Sequence, residues 1–337
     1  RETSEDVRTA LKEAQEEASS KAPTEPPPSP APADGLTIGG HPVRLTNQDK
    51  VYWPAEGYTK GDLIAYYRDL ASVILPHLRD RPESLNRHPN GISGKSFFQK
   101  DVAKQPPPDW VQTVDISSDE DQKVTRTVLC QDEATLVYLA NLGCIELNPW
   151  HARVGSLDQA DYMVLDLDPE GVAMAQVAEV AQAIRKLLER LDVACNCKTS
   201  GKRGLHVYVP FGARYGHEQA KQFAYLIAQI IHRQFPGVTS LVRDPAQRQG
   251  RVYLDFVQNG KGKTLVASYS ARPHPGATVS TPLKWSEVNK RLDPAKFTIR
   301  TLPRRLERVG DLWAPVLGPG IDLTACLERL PTVLQKS

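Results

Sequence analysis

Three aspartates are placed where divalent cations could be held. Asp166 and Asp168 lie two apart in Asp161–Asp168 (DYMVLDLD), whose alternation predicts a strand. Successive strand side chains point to opposite faces. The two carboxylates therefore share one face, with Cα atoms about 6.8 Å apart, while Met163, Leu165 and Leu167 fill the other. Such a pair repels itself and needs a cation or solvent between its members. An oxygen-seeking ion such as Mg²⁺ or Mn²⁺ would supply the charge. Pro169 is expected to stop the pairing and leave both acids at the C-terminal end of the strand, a usual ligand position in α/β sheets. Alone, an Asp-x-Asp reads more readily as a solvated strand end. Asp255 shifts that balance. It stands between Leu254 and Phe256 in Arg251–Val257, a second predicted strand, and buried acids are rarely left unpartnered. Arg248 or Arg251 could pair with it. The alternative is a two-metal phosphoryl-transfer site built from all three carboxylates.

A second cluster suits phosphate. In Ser200-Gly201-Lys202-Arg203-Gly204-Leu205-His206, two glycines let backbone N–H groups approach an anion, and a hydroxyl and two cations add donors. It is not a P-loop, because Lys-Ser/Thr does not follow the second glycine. Taken alone it reads equally well as a basic hairpin turn. His206 alternates with Leu205, Val207 and Val209 and so faces away from their apolar side. Around Asp255 stand Arg243, Arg248, Arg251, Lys261, Lys263 and Arg272, a set that suits a metal–triphosphate, although Arg243 and Lys261 read as ordinary surface charges. Nearer the N-terminus, Lys50 and Lys60 flank Trp53-Pro54. Arg87-His88-Pro89-Asn90-Gly91 and Phe97-Phe98-Gln99-Lys100 come later in the chain. Cations with paired aromatics form a nucleic-acid pattern, against core packing for the phenylalanines; in an extended segment one of the two would face in and one out.

The elements that must position these residues are mixed. Leu63, Ile64, Tyr67, Leu70, Ile74 and Leu75 follow helical spacing from Thr59 to Pro76. Further helices are expected over Asp132–Gly143, Val172–Leu191 and Glu218–Phe235, and further strands over Ile145–Leu147, Ala194–Thr199, Leu205–Val209 and Thr264–Ser268. Strands joined by hairpins and interleaved with helices make an α+β, or mixed α/β, body. Residues 1–37 hold eight acidic and four basic side chains and a proline-rich run, and read as a disordered linker. Since the whole chain is at +2, the remaining 300 residues are mildly basic, which permits phosphate binding without proving it. The chain opens on Arg1, so a fragment of a longer polypeptide is expected. Five scattered cysteines are no disulfide framework. Cys195 and Cys197 are too closely spaced for a zinc half-site, so reduced thiols and a cytoplasmic setting are expected. No apolar run is long enough to span a bilayer, so no membrane partner is expected.

Taken in order, LTNQDKVYWP, RHPNG, FFQK, NPWHAR, DYMVLDLDP, TSGKRGLHVYVP, RVYLDFVQN and SARPHPGATVSTPL resemble the polymerase domain of bacterial ATP-dependent DNA ligase D. That domain is a member of the archaeo-eukaryotic primase superfamily and acts in non-homologous end joining. The resemblance runs from about Leu45 to about Trp313. It implies a primase-like body over 38–337: an N-terminal α/β module (about 38–155, with some C-terminal return), an RRM-like catalytic module (about 156–300) and a tail over 301–337. It implies that Asp166, Asp168 and Asp255 hold two ions, Mn²⁺ or Mg²⁺. It further implies that Ser200, His206, Arg248 and Arg272 contact the nucleotide, with Lys263, and that His151 lies near it; Lys202 and Arg203 belong to the same turn. Lys50 and Lys60, with Arg87, would grip a recessed 5′-phosphate, and Phe97 and Phe98 would stack on template. Two positions depart from the family pattern. Asn86 stands where a lysine is expected, and Arg203 replaces a lysine. The implied activity is template-dependent extension and gap filling with NTP or dNTP at gaps or double-strand breaks, with a ribonucleotide preference and some non-templated addition. The implied partners are ligase and phosphoesterase domains of a parent chain and a Ku-type end-binding protein, in a bacterial, nucleoid-associated setting. The rival readings are a de novo primase of the same superfamily, a metal-dependent nuclease using the same acids, and a non-catalytic DNA-end-binding module.

Overall fold

The computed structural model describes residues 35–117, 123–248 and 250–335. Contacts divide the chain after Gly35, and the described elements and cores lie in the unit Leu36–Ser337, Gly35 alone excepted. The linker expected over residues 1–37 lies outside the described residues up to position 34. Its last three residues begin a strand, β1 (Gly35–Ile38), paired with β2 (His41–Arg44). A second ribbon joins β3 (Val51–Trp53) to β4 (Tyr58–Thr59), and α1 (Lys60–Asp69) starts at once after it. A reciprocal capping box starts α1. Thr59 Oγ1 accepts from the Asp62 N–H, and the Asp62 carboxylate accepts from the Thr59 N–H at 2.8 Å. The single helix expected to Pro76 breaks at Leu70 into α1, the short α2 (Ala71–Ile74) and a 3₁₀ turn carrying Pro76.

Next come β5 (Pro82–Glu83), β6 (Leu85–Arg87), β7 (Phe97–Gln99), β8 (Thr113–Ser117), β9 (Val124–Leu129), α3 (Glu133–Asn141) and β10 (Cys144–Glu146). They make two three-stranded sheets, ordered β5-β9-β8 and β10-β6-β7. The larger sheet is built from the next stretch: β11 (Gln159–Glu170), α4 (Met174–Arg190), β12 (Asn196–Thr199), β13 (Leu205–Gly216), α5 (His217–Gln234), β14 (Thr239–Ser240), β15 (Arg251–Asp255) and β16 (Pro282–Leu283). Its order is β14-β15-β11-β13-β12-β16, antiparallel except between β14 and β15. The chain closes with α6 (Leu302–Val309) and α7 (Leu323–Gln335).

Two cores flank the large sheet. On one face Met163, Leu165, Leu167, Leu205, Val207, Val209, Val252 and Leu254 pack under the apolar stripes of α4 and α5. On the other face, Tyr162, Val164 and Tyr208 join a core built mainly from residues 43–147, to which Tyr269, Val279, Leu302 and Trp313 return. The segment expected as a tail after Arg300 therefore contributes to both cores, since Leu323, Cys326 and Val333 of α7 pack into the first-named one. The second face runs Tyr162, Val164, Asp166, Asp168 along β11. Tyr162, Val164 and Asp166 are buried there, and the face first reaches the surface at Asp168.

Two strand expectations need correction. Pairing does not stop at Pro169: Pro169 faces Val252 and Glu170 faces Arg251. The β13 ladder has ended by Leu167, so proline's missing N–H leaves no ladder partner wanting on that side. Thr264–Ser268 is not a strand; Thr264 makes one isolated bridge, to Trp150.

Candidate active site

Register brings the acids together. Across β15, β11, β13 and β12, Asp255 faces Asp166, Asp166 faces His206, and His206 faces Lys198. Directly opposed residues on neighbouring strands share a face, so this row carries two carboxylates, an imidazole and an ammonium side by side. Asp168 stands one step along the same face, opposite Tyr253. His206 does face away from its apolar neighbours, but that face is itself covered: the ring is 2 % exposed, with Nε2 3.3 Å from Asp166 Oδ1.

Burial, with Asp168 and Asp255 as like charges, pushes Asp166 well above the usual carboxylate range. Burial and Asp255 push Asp168 up too, and Arg248 and Arg203 pull it back. Asp166 Oδ1 is buried without a hydrogen-bond partner. Asp255 is not paired with arginine. Its oxygens accept from the Val257 N–H at 2.8 Å and from Gln258 Nε2 at 2.9 Å. Arg248 instead stacks on Tyr253, 3.5 Å from the ring centroid, and donates to the carbonyls of Val242 and Arg243. Among the described residues no group of three or more His, Cys, Asp or Glu is arranged to hold an ion. The chemistry of the set fits one all the same. The donors are all oxygen, the charges repel, and one buried oxygen is unsatisfied.

A cavity of about 380 Å³ opens over Asp166 and Asp168. Asp166, Asp168, Ser200, Lys202, Arg203, His206, Arg248 and Arg272 all line it. The Ser200 turn is held from within: Ser200 Oγ accepts from the N–H groups of Lys202 (3.2 Å) and Gly204 (3.0 Å). Gly201 has φ +75°, and a Cβ there would stand 2.5 Å from Arg272 Cγ and 2.8 Å from Ser280 N. The turn is thus pressed against the segment carrying Arg272. A larger groove, about 830 Å³, lies between α4, the end of α5 and Lys290. Its charged lining is Glu179 with Lys186, Arg190 and Lys290, without paired acids, so the smaller cavity is the one equipped for a metal–phosphate ligand.

Three sequence candidates are not in the cavity wall. Asp255 stands beside Asp166 across the β11–β15 ladder without lining the cavity. Lys263 is exposed on the turn after β15. His151 is buried against Tyr162, both ring nitrogens lack partners, and burial with nearby Arg81 pulls it down to about 3, so it is neutral.

Other lining residues escaped the sequence reading. Glu146 and Asn148 enter from the N-terminal side. Glu146 lies 3.4 Å from Arg272 Nε and accepts from Asn86 Nδ2 at 2.9 Å. Flanked by Ile145 and Leu147, it carries the same signal that singled out Asp255. Lys198 is 1 % exposed; burial, then Arg272, pulls it well below the ordinary lysine range, against the pull of Asp166. Cys197 is a core residue and Cys195 packs beside it.

The end-contact candidates form a separate patch. Lys60 N–H donates to the Lys50 carbonyl, so the two lysines are adjacent. Lys60 Nζ reaches the Thr46 carbonyl (2.6 Å) and Oγ1 (3.0 Å), and Lys50 Nζ reaches Asn90 Oδ1. Burial and Lys50 pull Lys60 down to about 8. Phe97 and Phe98 are 47 % and 63 % exposed, so neither faces in, and Arg87 lies over the Phe97 ring at 5.3 Å. Asn86 is buried beside Glu146 rather than in this patch.

Comparison with known proteins identifies the family. Residues 59–313 match the family model for the LigD primase-polymerase domain. The multifunctional non-homologous end joining protein LigD of Mycolicibacterium smegmatis is 35 % identical over 279 residues, covering 81 % of this chain and 36 % of that protein. Its counterpart in Pseudomonas aeruginosa is 32 % identical over 290 residues, covering 85 % and 34 %. The chain therefore spans about a third of the length of these relatives. The solved polymerase domain of Mycobacterium tuberculosis ligase D, in complex with DNA, superposes with TM-score 0.74 at 33 % identity, covering 83 % of this chain and 99 % of that one. Among the described residues no helix is long and apolar enough to cross a membrane.

Proposed function

The chain belongs to the LigD primase-polymerase domain family, and on that premise we propose that it is a metal-dependent, DNA-end-directed polymerase of bacterial non-homologous end joining. Its substrates are a primer 3′-end at a gap or double-strand break and a nucleoside triphosphate. The observation that carries the reading is the in-register pairing of Asp166 with Asp255 beside a cation-lined cavity that Asp166 and Asp168 enter.

In the reaction the primer 3′-oxygen bonds to the α-phosphorus as the bond to pyrophosphate breaks. Asp166, Asp168 and Asp255 would hold two divalent ions, Mn²⁺ or Mg²⁺. When bound, such ions make the 3′-hydroxyl more acidic and neutralise the departing phosphates. Lys202, Arg203, Arg248 and Arg272 match the charge of the triphosphate, and Ser200 keeps the glycine turn shaped to it. Lys263, exposed nearby, is available to reach a longer ligand. Neutral, buried His151 is a packing and orienting group beneath Tyr162. Lys50 and Lys60, with Arg87, receive a 5′-phosphate, and Phe97 and Phe98 receive the exposed template base. The ribonucleotide preference, the limited untemplated addition and the partnership with ligase and phosphoesterase domains and a Ku-type protein rest on the family resemblance.

The test is primer extension on a gapped duplex with a 5′-phosphate, comparing ribo- and deoxyribonucleotides with each metal. Extension by the wild-type chain and none by Asp255→Ala, at unchanged DNA affinity, is expected. Products from unprimed template would favour a primase. DNA loss without triphosphate would favour a nuclease, and binding without extension a passive end-binding module.

A further inference from the structure

Lys198 is among the most enclosed groups of the site, and neither ion holding nor triphosphate neutralisation uses it. Its Nζ lies 2.8 Å from the Val266 carbonyl oxygen, 2.7 Å from Ser280 Oγ and 3.0 Å from His206 Nδ1. Burial and Arg272 oppose a charge there, while two accepting oxygens and the rings of Tyr208 and Trp313, 5.7 Å and 6.0 Å away, favour the cation. An ammonium has three N–H donors and no acceptor. The Val266 carbonyl can only accept. Ser280 Oγ donates its own proton to the Thr199 carbonyl at 2.8 Å, so it too accepts from lysine. The third N–H is left for His206 Nδ1.

We propose that Lys198 is a positioning residue: by donating to Nδ1 of His206 it fixes the imidazole as the Nε2–H tautomer and presents that N–H to the cavity as a donor for a phosphate oxygen. A neutral imidazole has one donor and one acceptor, so the group behind the ring decides what the ring shows in front. Nε2 lies 3.3 Å from Asp166 Oδ1, on the cavity wall. With the proton on Nδ1, Nε2 would aim a lone pair at a carboxylate and at the phosphate. The ligand's identity rests on the polymerase reading above. The tautomer is a property of the chain alone, so the two can fail separately.

The experiment is ¹⁵N NMR of the full chain labelled at histidine, with the His206 signals assigned by their loss in His206→Gln. Wild type is expected to show a bare, acceptor-type Nδ1 and a protonated Nε2. In Lys198→Met the tautomers should mix. The KM for nucleoside triphosphate should rise about ten- to a hundred-fold, the weight of one charge-assisted hydrogen bond. Affinity for a 5′-phosphorylated gap should not change. Ser280→Ala, which keeps the lysine but removes one of its anchors, should shift both readouts in the same direction by less, and it carries the test alone if Lys198→Met does not fold. An uncharged amine would accept from Nδ1–H, so a protonated Nδ1 in wild type overturns the proposal. So does an unchanged tautomer in both variants. The expected tautomer in a chain that extends no primer would strike down the polymerase reading and leave the lock in place.

Discussion

At the scale of single residues, the acidic row is a local conflict kept for a purpose. Burial and neighbouring carboxylates raise Asp166, which places its charge at odds with folding. An acid raised in the folded state contributes stability below its unfolded range, and that contribution is lost as pH rises through the folded value. Asp166→Asn should therefore stabilise the metal-free chain near neutral pH by about 1 kcal/mol. Mn²⁺ should raise the melting temperature of wild type by mass action and that of Asp166→Asn by much less. Equal metal shifts in both would remove Asp166 from the ion site. Lys60 behaves in the opposite sense. A lysine lowered to about 8 in the folded chain favours folding at high pH and loses that contribution as pH falls through about 8. Its charge, which a 5′-phosphate needs, is present below that value. Preference for phosphorylated over unphosphorylated gaps, measured as a ratio of affinities, should be full near pH 7 and decline above pH 8. Lys60→Met should flatten the profile, and a profile already flat in wild type would exclude Lys60 as the phosphate group.

At the scale of elements, the site depends on turns whose backbone leaves no room for a side chain. Gly201 combines φ +75° with a Cβ position within 3.0 Å of Arg272 Cγ, Ser280 N and Val279 C. Gly201→Ala should cost about 1–3 kcal/mol in denaturant unfolding and displace Arg272 from the cavity, raising the nucleotide KM. Normal stability with a normal KM would show that the turn and Arg272 are not coupled. The Ser-Gly turn was visible in the sequence because glycine and serine signal their own geometry. Asp166, Asp168 and Asp255 were visible because strand alternation alone sets their face. Glu146 was passed over although Ile145 and Leu147 give it the same apolar flanks that marked Asp255. Lys198 was not singled out because a charged residue inside a short strand reads as a solvent-facing position, and nothing local says that a separate layer covers that face. Pro169 misled for a related reason. A proline ends pairing only where its missing N–H is needed, and which side of β11 stays open is set by where β13 stops.

At the scale of the whole molecule, one cross-strand row ties the end-contact patch to the cavity. In the sheet β10-β6-β7, Phe98 faces Asn86 and Asn86 faces Glu146, which lines the cavity and touches Arg272. Neighbouring strands are about 4.8 Å apart, so an exposed aromatic and the cavity wall sit on one rigid unit about 10 Å across. That geometry explains why two large apolar side chains stand at 47 % and 63 % exposure where folding gains nothing from them. On the proposed reading they would form a platform that stacks the first template base beyond a gap. If so, removing the rings should weaken the DNA complex without weakening the protein. Phe97→Ala with Phe98→Ala should lower affinity for gapped duplex by about 1–3 kcal/mol per lost stack and leave the melting temperature unchanged. Affinity for the nucleoside triphosphate alone should also hold, because the cavity wall is carried by β10 and not by the rings. A double variant that unfolds early would instead show that the phenylalanines serve the fold, and the platform would have to be sought elsewhere on the surface.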